Sequence, residues 1–315
     1  MKLKLDSETY WLVGGVLALL VVATAIGQWL RRRGRGEEST GTIQNLNARI
    51  KAWWMMVAVF ALAMLTGGIG SVILFGLTSF FALREFITLT PTKVGDHRTL
   101  FWVFFVITPL QYWLVATDWY GLFMVLIPVY AFLFVPLRCA LSGDCERFLE
   151  RAAKIQWGLM VCVYCVSHAP AIFFLKIPGY EGQNGKLLFY FVLIVQLSDV
   201  LQYVWGKTLG RHKIAPHVSP NKTWEGFVGG VATATLLGAG LWWATPFTPW
   251  QSAGLSLAIT LMGFAGGLVM SAIKRDRGVK DFGAMIEGHG GVLDRIDSIC
   301  FAAPVFFHLT RYFFT

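Results

Sequence analysis

The strongest constraint on this chain is a succession of apolar runs, each close to the length that crosses a bilayer. A transmembrane helix needs about 20 mostly apolar residues. Roughly ten such windows recur, at about 10–30, 52–67, 69–87, 99–117, 119–137, 155–175, 187–205, 226–245, 252–273 and 296–313. The second and third form one apolar stretch broken at Gly67-Gly68 and Gly70, which reads as a tight hairpin. The first is too long for a cleaved signal peptide and runs directly into Arg31-Arg32-Arg33, so it reads as a retained span. Only 14% of the residues are charged, where a soluble domain carries about a quarter. The expected fold is therefore an all-α polytopic membrane protein of about ten transmembrane helices.

Basic residues set the orientation. If the loop after the first window is cytoplasmic, the loops at 31–51, 84–98, 138–154, 206–224 and 274–295 hold 22 of the 27 Lys and Arg. That asymmetry follows the positive-inside rule and places both termini on the other side. The formal net charge of +9 is spread between apolar spans, a distribution suited to membrane orientation and phosphate-bearing ligands and not to nucleic acid. The polar stretch Gly34–Asn47 reads as a cytoplasmic linker or interfacial segment. Five cysteines show no zinc-type spacing, and Cys162-x-x-Cys165 in an apolar helix reads as packing. Three regions are expected: 1–51, a first helix and basic linker; 52–186, a transmembrane bundle; and 187–315, a region carrying the chemistry.

Two cytoplasmic segments, 198–230 and 271–298, stand out against this background. Asp199 lies inside the seventh window, where an ionisable group costs roughly 2.5–3.5 kcal/mol and usually faces a polar interior. Ser219-Pro220-Asn221-Lys222-Thr223-Trp224-Glu225 leads into the eighth, and Ser219 followed by Pro220 suits an N-cap and first turn. Lys222 then sits near a helix start, where anions are favoured. In the second segment Lys274, Arg275, Arg277 and Lys280 interleave with Asp276, Asp281, Glu287, Asp294 and Asp297. Carboxylates that hold Mg²⁺ beside cations that hold phosphate are the ingredients of phosphoryl or nucleotidyl transfer. Gly288-His289-Gly290-Gly291 permits close backbone approach, and the helix after it offers free N–H groups. Asp294 and Asp297, three apart, share one helical face.

At these residues the chain resembles the phosphatidate cytidylyltransferases, or CDP-diacylglycerol synthases. Their C-terminal signature is matched by Ser271-Ala272-Ile273-Lys274-Arg275, Lys280-Asp281, His289-Gly290-Gly291 and Asp294-Arg295-Ile296-Asp297. Their Ser-Pro-x-Lys-Thr-x-Glu-Gly element is matched by Ser219 to Gly226, and Asp199 with Tyr203 resembles an Asp-x-x-x-Tyr element. The match covers roughly the last 120 residues. Two positions depart from the pattern. Gly267 stands where the family carries an aspartate, an expected metal ligand, and Glu287 stands where it carries a proline.

The resemblance implies transfer of a cytidylyl group from CTP to phosphatidate. It implies Asp199, Asp281, Asp294 and Asp297 as ligands of Mg²⁺ or Mn²⁺. Lys222, Lys274, Arg275, Lys280 and Arg295 would neutralise phosphates, with His289, Gly290 and Gly291 at the pyrophosphate and Ser219, Asn221 and Thr223 lining the substrate. Gly267 leaves open whether Glu287 or Asp276 takes over metal binding, or whether the activity is altered. Another lipid phosphate acceptor, a lipid transporter and an inactive regulatory relative remain alternatives. The implied partners are CTP, phosphatidate and membrane lipids, with no nucleic acid and with a homodimer left open. The implied location is the bacterial inner membrane, active-site loops facing the cytoplasm.

Overall fold

The computed structural model describes residues 6–33, 37–90, 92–285 and 290–315. Among them run α1 (Ser7–Arg33), α2 (Glu37–Leu65) and α3 (Gly68–Thr88). Next come α4 (Val94–Ala116), α5 (Tyr120–Ala140) and α6 (Phe148–Phe174). The C-terminal part adds α7 (Asn184–Thr208), α8 (Trp224–Gly240), α9 (Pro249–Asp276) and α10 (Leu293–Phe314). Each overlaps one apolar window. Seven of them, α1, α3, α4, α5, α6, α7 and α9, are long and apolar enough to cross a membrane. In α2 the apolar part is the shorter Ile50–Leu65, α8 has 17 residues, and α10 carries Asp294, Arg295, Asp297 and Arg311.

The stretch read as a linker or interfacial segment is helical from Glu37 onward, so its C-terminal part opens α2. The helical architecture carries one short ribbon, which changes the reading of Ser219-Pro220: β1 (Lys213–Ala215) and β2 (Ser219–Thr223) pair antiparallel, Lys213 opposite Thr223 and Ala215 opposite Ser219. Ser219 and Pro220 therefore belong to a strand, and the cap of α8 falls on Thr223. Thr223 has extended backbone, and its Oγ1 accepts from Gly226 N at 3.1 Å. Threonine suits both tasks, its branched Cβ ending a strand and its hydroxyl capping a helix.

The break between α2 and α3 is a hairpin as expected, made at Gly67 with φ 81°, a conformation that glycine adopts without strain. π turns interrupt α4 at Val103–Ile107, α5 at Leu126–Ala131 and α6 at Met160–Cys165. Pro109 and Pro128 lie beside and inside the first two, where a missing N–H frees a carbonyl that a wider turn accommodates. Cys162 is buried in the core and both Cys162 and Cys165 are free thiols, so this pair packs. The core runs continuously through α3 to α7 and on into α9 and α10, with Leu83, Val103, Val135, Leu187, Phe191 and Phe306 fully enclosed.

Three contacts fix the frame. Arg151 of α6 meets the buried Asp96 with Nη2 at 2.8 Å and Nε at 3.0 Å, tying the starts of α4 and α6. Lys186, wholly buried at the start of α7, donates to Asp6 Oδ2 at 2.9 Å and to Glu8 of α1. The starts of α1 and α7 thus lie at one end of the bundle. Finally α7 and α8 touch through glycines: a Cβ at Gly230 would stand 2.4 Å from Gln202 Cγ, and one at Gly226 would stand 2.8 Å from Gln202 O. Small residues let two helix backbones approach where side chains would hold them apart.

Candidate functional site

The end of α7, the ribbon, the start of α8, the end of α9 and the start of α10 meet at the opposite end of the bundle. Asp199 projects from α7. Ser298 of α10 donates its hydroxyl to Asp199 Oδ2 at 2.8 Å and stands 3.4 Å from Asp297 Oδ1, while Ser298 N donates to that same oxygen at 2.7 Å. Two carboxylates from helices far apart in sequence thus share one hydroxyl. Lys222 reaches in from β2. Its Nζ donates to Phe264 O at 3.5 Å and lies 4.4 Å from the centre of the Phe264 ring, a cation–π distance. Burial pushes the Lys222 ammonium below the usual lysine range, against the opposing pull of Asp199 and Asp297.

Gly267 of α9 faces this group. A Cβ there would lie 3.1 Å from Lys222 Nζ, 3.8 Å from Asp297 Oδ2 and 3.8 Å from Ser298 Oγ. The missing side chain leaves a cradle bordered by an ammonium, a carboxylate and a hydroxyl. Asp199 and Asp297 fit a magnesium ion, which is commonly held by one or two carboxylates together with substrate phosphates. No group of three or more His, Cys, Asp or Glu able to hold a metal occurs among the described residues.

The other two expected ligands are placed elsewhere. Asp294 is buried and engaged on both oxygens: Oδ1 accepts from Lys274 Nζ at 2.8 Å, and Oδ2 accepts from Phe282 N at 2.8 Å and Gly291 N at 3.0 Å. It ties Phe282 and Gly291 to α10, and Lys274 of α9 is its counter-ion. Asp281 is exposed, its Cβ packed near Gly290, where φ is 82°. Asp276 pairs with Arg277 at 2.7 Å, away from Asp199 and Asp297. Glu287 and His289 lie outside the described residues.

The glycines and the α10 terminus also differ from expectation. Glu85, at the end of α3, has its carboxylate against them: Oε1 accepts from Val292 N and Oε2 from Leu293 N, both at 2.9 Å. A Cβ at Gly291 would stand 2.3 Å from Glu85 Oε2, and one at Gly283 would stand 2.7 Å from Oε1. Gly291 thus makes room for a carboxylate of the chain itself, and the N–H groups of 291, 292 and 293 are all taken. Sequence reading missed Glu85 because it sits beside Arg84, at what looks like a span's end. Its flanks, the fully buried Leu83 and the buried Phe86, were the signal that a charge there faces inward.

Around this interior lies a basic rim. Arg275 and Lys280 are exposed, with Arg275 bonding Val218 O at 3.3 Å and Val279 O at 3.1 Å. Asn221 is exposed, Ser219 half-buried and Thr223 buried in its cap. Arg295 is half-buried, its Nε without a hydrogen-bond partner among the described residues. Glu225 clasps the ribbon's base, bonding His212 Nδ1 at 2.5 Å and accepting from Arg211 N at 3.0 Å. The His212 contact and these backbone donors hold its carboxyl down at about 2.

Fold and site together define a helical membrane protein with two carboxylates and an ammonium gathered at one end, inside a basic rim. The cytidylyltransferase family pattern matches residues 47–313, and the chain belongs to that family. It is 40% identical over 301 residues to the uncharacterized protein YnbB of Escherichia coli (strain K12), covering 94% of this chain and 96% of that one. A phosphatidate cytidylyltransferase of Staphylococcus aureus (strain COL) is 31% identical over 255 residues, 78% of this chain and 92% of the relative. One from Mycobacterium leprae (strain TN) is 42% identical over 129 residues, 40% and 41% of the two chains.

Proposed function

We propose that this protein transfers a cytidylyl group from CTP to phosphatidate, giving CDP-diacylglycerol and pyrophosphate. It would span the bacterial inner membrane ten times, with the site at the cytoplasmic face, as a monomer or a homodimer. Residues 187–315 form the catalytic region, behind the helix and basic segment of 1–51 and the bundle of 52–186. Family membership and the names of the Staphylococcus and Mycobacterium relatives support this class of reaction. The observation that carries it is the convergence of Lys222, Asp297 and Ser298 on the open cradle at Gly267, with Asp199 held by the same Ser298 hydroxyl.

A phosphate oxygen of phosphatidate attacks the α-phosphorus of CTP. The new P–O bond forms as the α–β anhydride bond breaks, and its electron pair leaves on pyrophosphate. Asp199 and Asp297 would hold Mg²⁺ or Mn²⁺, which when bound supplies positive charge to phosphate oxygens. Lys222 brings a fixed, partly desolvated ammonium to the charge that develops in transfer, and preorganised charge of this kind is the main lever for phosphoryl chemistry. Arg275 and Lys280 draw the triphosphate to the rim, and Arg295 lies between rim and interior. Asp294 with Lys274 keeps Phe282 and Gly291 in place.

The test is turnover of radiolabelled CTP with phosphatidate and Mg²⁺ by the detergent-solubilised protein, with Asp297→Asn as control. Asp297 is the better control because Asp294 is committed to the packing of its segment. A CDP-lipid that forms with the native protein and not with the control is the expected outcome. Absence of product from folded, nucleotide-binding protein overturns phosphatidate as acceptor. Product with a different lipid phosphate in its place would assign the same chemistry to that acceptor.

A further inference from the structure

We infer that Glu85 is a positioning residue for this site, setting the rotation and depth of α10 and through it Asp294 and Asp297. The kinetic part of this inference rests on the cytidylyl-transfer reading. Glu85 lies 208 positions before Leu293, in a helix that contributes no other side chain to the site described above. Its carboxylate is only 7% exposed. Both oxygens are used, one each for Val292 N and Leu293 N, the first N–H groups of α10. Gly283 and Gly291 stand where any side chain would strike the same carboxylate, at 2.7 Å and 2.3 Å. Three segments close on it: α3, the loop after Asp281 and the start of α10.

The consequence is geometric. In an α-helix each residue turns the chain by about 100° and advances it by about 1.5 Å. Asp294 follows Leu293 directly, and Asp297 and Ser298 follow within the next turn, so a two-point grip on 292 and 293 fixes the bearing of all three. A slip of one residue would carry Asp297 and Ser298 off Asp199. The grip also fills the helix N-terminus with protein carboxylate, leaving substrate phosphates to the side chains of Lys222, Arg275, Lys280 and Arg295.

The experiment compares the native protein with Glu85→Gln, which keeps the shape and removes the charge, and Glu85→Asp, which keeps the charge on a shorter arm. Hydrogen exchange over 290–295 and steady-state kinetics are measured on each full chain in detergent. In Glu85→Gln, exchange at Val292 and Leu293 is expected to rise ~10-fold or more, as loss of a charge-assisted hydrogen bond implies. The middle of α10 should stay protected. In the same variant kcat should fall ~10–100-fold, the cost of a misplacement near 1 Å. KM for CTP should stay within about 3-fold of native, and Glu85→Asp should recover part of kcat. Unchanged exchange overturns the inference, and so does faster exchange with kcat intact. A lower KM with kcat unchanged also overturns it, because Glu85 would then merely occupy an anion site. If the native protein turns over no CTP, the function reading fails on its own, and exchange at 292–293 alone decides for or against Glu85.

Discussion

Ser298 donates its hydroxyl to Asp199 at 2.8 Å across 99 positions of sequence, while its own N–H holds the neighbouring Asp297. Without that hydroxyl, Asp199 loses its hydrogen-bonded link to the Asp297 side of the pocket, and only the cations around the pair offset their repulsion. Ser298→Ala should therefore weaken Mn²⁺ binding at this pair by ~10-fold, in line with a hydrogen bond to a charged group. Titration of Mn²⁺ followed by electron paramagnetic resonance reads this directly, and an unchanged affinity would remove Ser298 from the site.

Gly267→Asp fills the cradle with a third carboxylate, placed against Lys222 Nζ and Asp297 Oδ2. The added ligand should raise Mn²⁺ affinity by ~10-fold or more, since charge count and ligand number set the strength of oxygen-donor sites. The same titration checks it. A loss of affinity would mean that Lys222 captures the new carboxylate as an ion pair.

The Lys274–Asp294 pair is buried on both sides, at 12% and 2% side-chain exposure. Removing one partner strands the other, so Lys274→Met should cost about 3–5 kcal/mol. The double variant with Asp294→Asn should cost less than the sum of the two single changes, because neither charge is then stranded. Denaturant melts in detergent, analysed as a double-mutant cycle, measure the coupling.

Glu225 gives a pH signature. Its carboxyl is held at about 2 in the folded chain against an ordinary value of 4.5. The folded value is the lower one, so the stabilisation is complete above pH 4.5 and is lost as pH falls toward 2. The difference in melting temperature between native protein and Glu225→Gln should be flat above that range and shrink below it. A difference that stays constant down to pH 3 would show that the clasp with His212 does not depend on charge.

Much of the fold was legible because hydrocarbon leaves a chain few choices. Apolar windows near 20 residues recover the helices, and the Gly67 break recovers a hairpin. Asp199 was legible for the same reason, as a charge inside an apolar run. Glu85 escaped because the feature that defines it, two N–H groups of α10, is more than two hundred residues away and leaves no local pattern. The ribbon escaped because Ser219-Pro220 is a good helix start in isolation; only pairing with Lys213–Ala215 makes it a strand. The glycines were read as places of close approach to a ligand, whereas within the fold what approaches Gly291 is Glu85 and what approaches Gly290 is Asp294 and Asp281. Helix existence is local information, whereas the assignment of each carboxylate to its partner is long-range.

The clasp of Lys186 with Asp6 and Glu8 bears on how the chain is made. A buried ammonium without a counter-ion is costly by several kcal/mol, and both of its counter-ions precede it by nearly 180 positions. The α1 segment is therefore synthesised well before the Lys186 that it neutralises. The clasp thus joins two segments made far apart in time, and Lys186 gains its counter-ions only once both are in place.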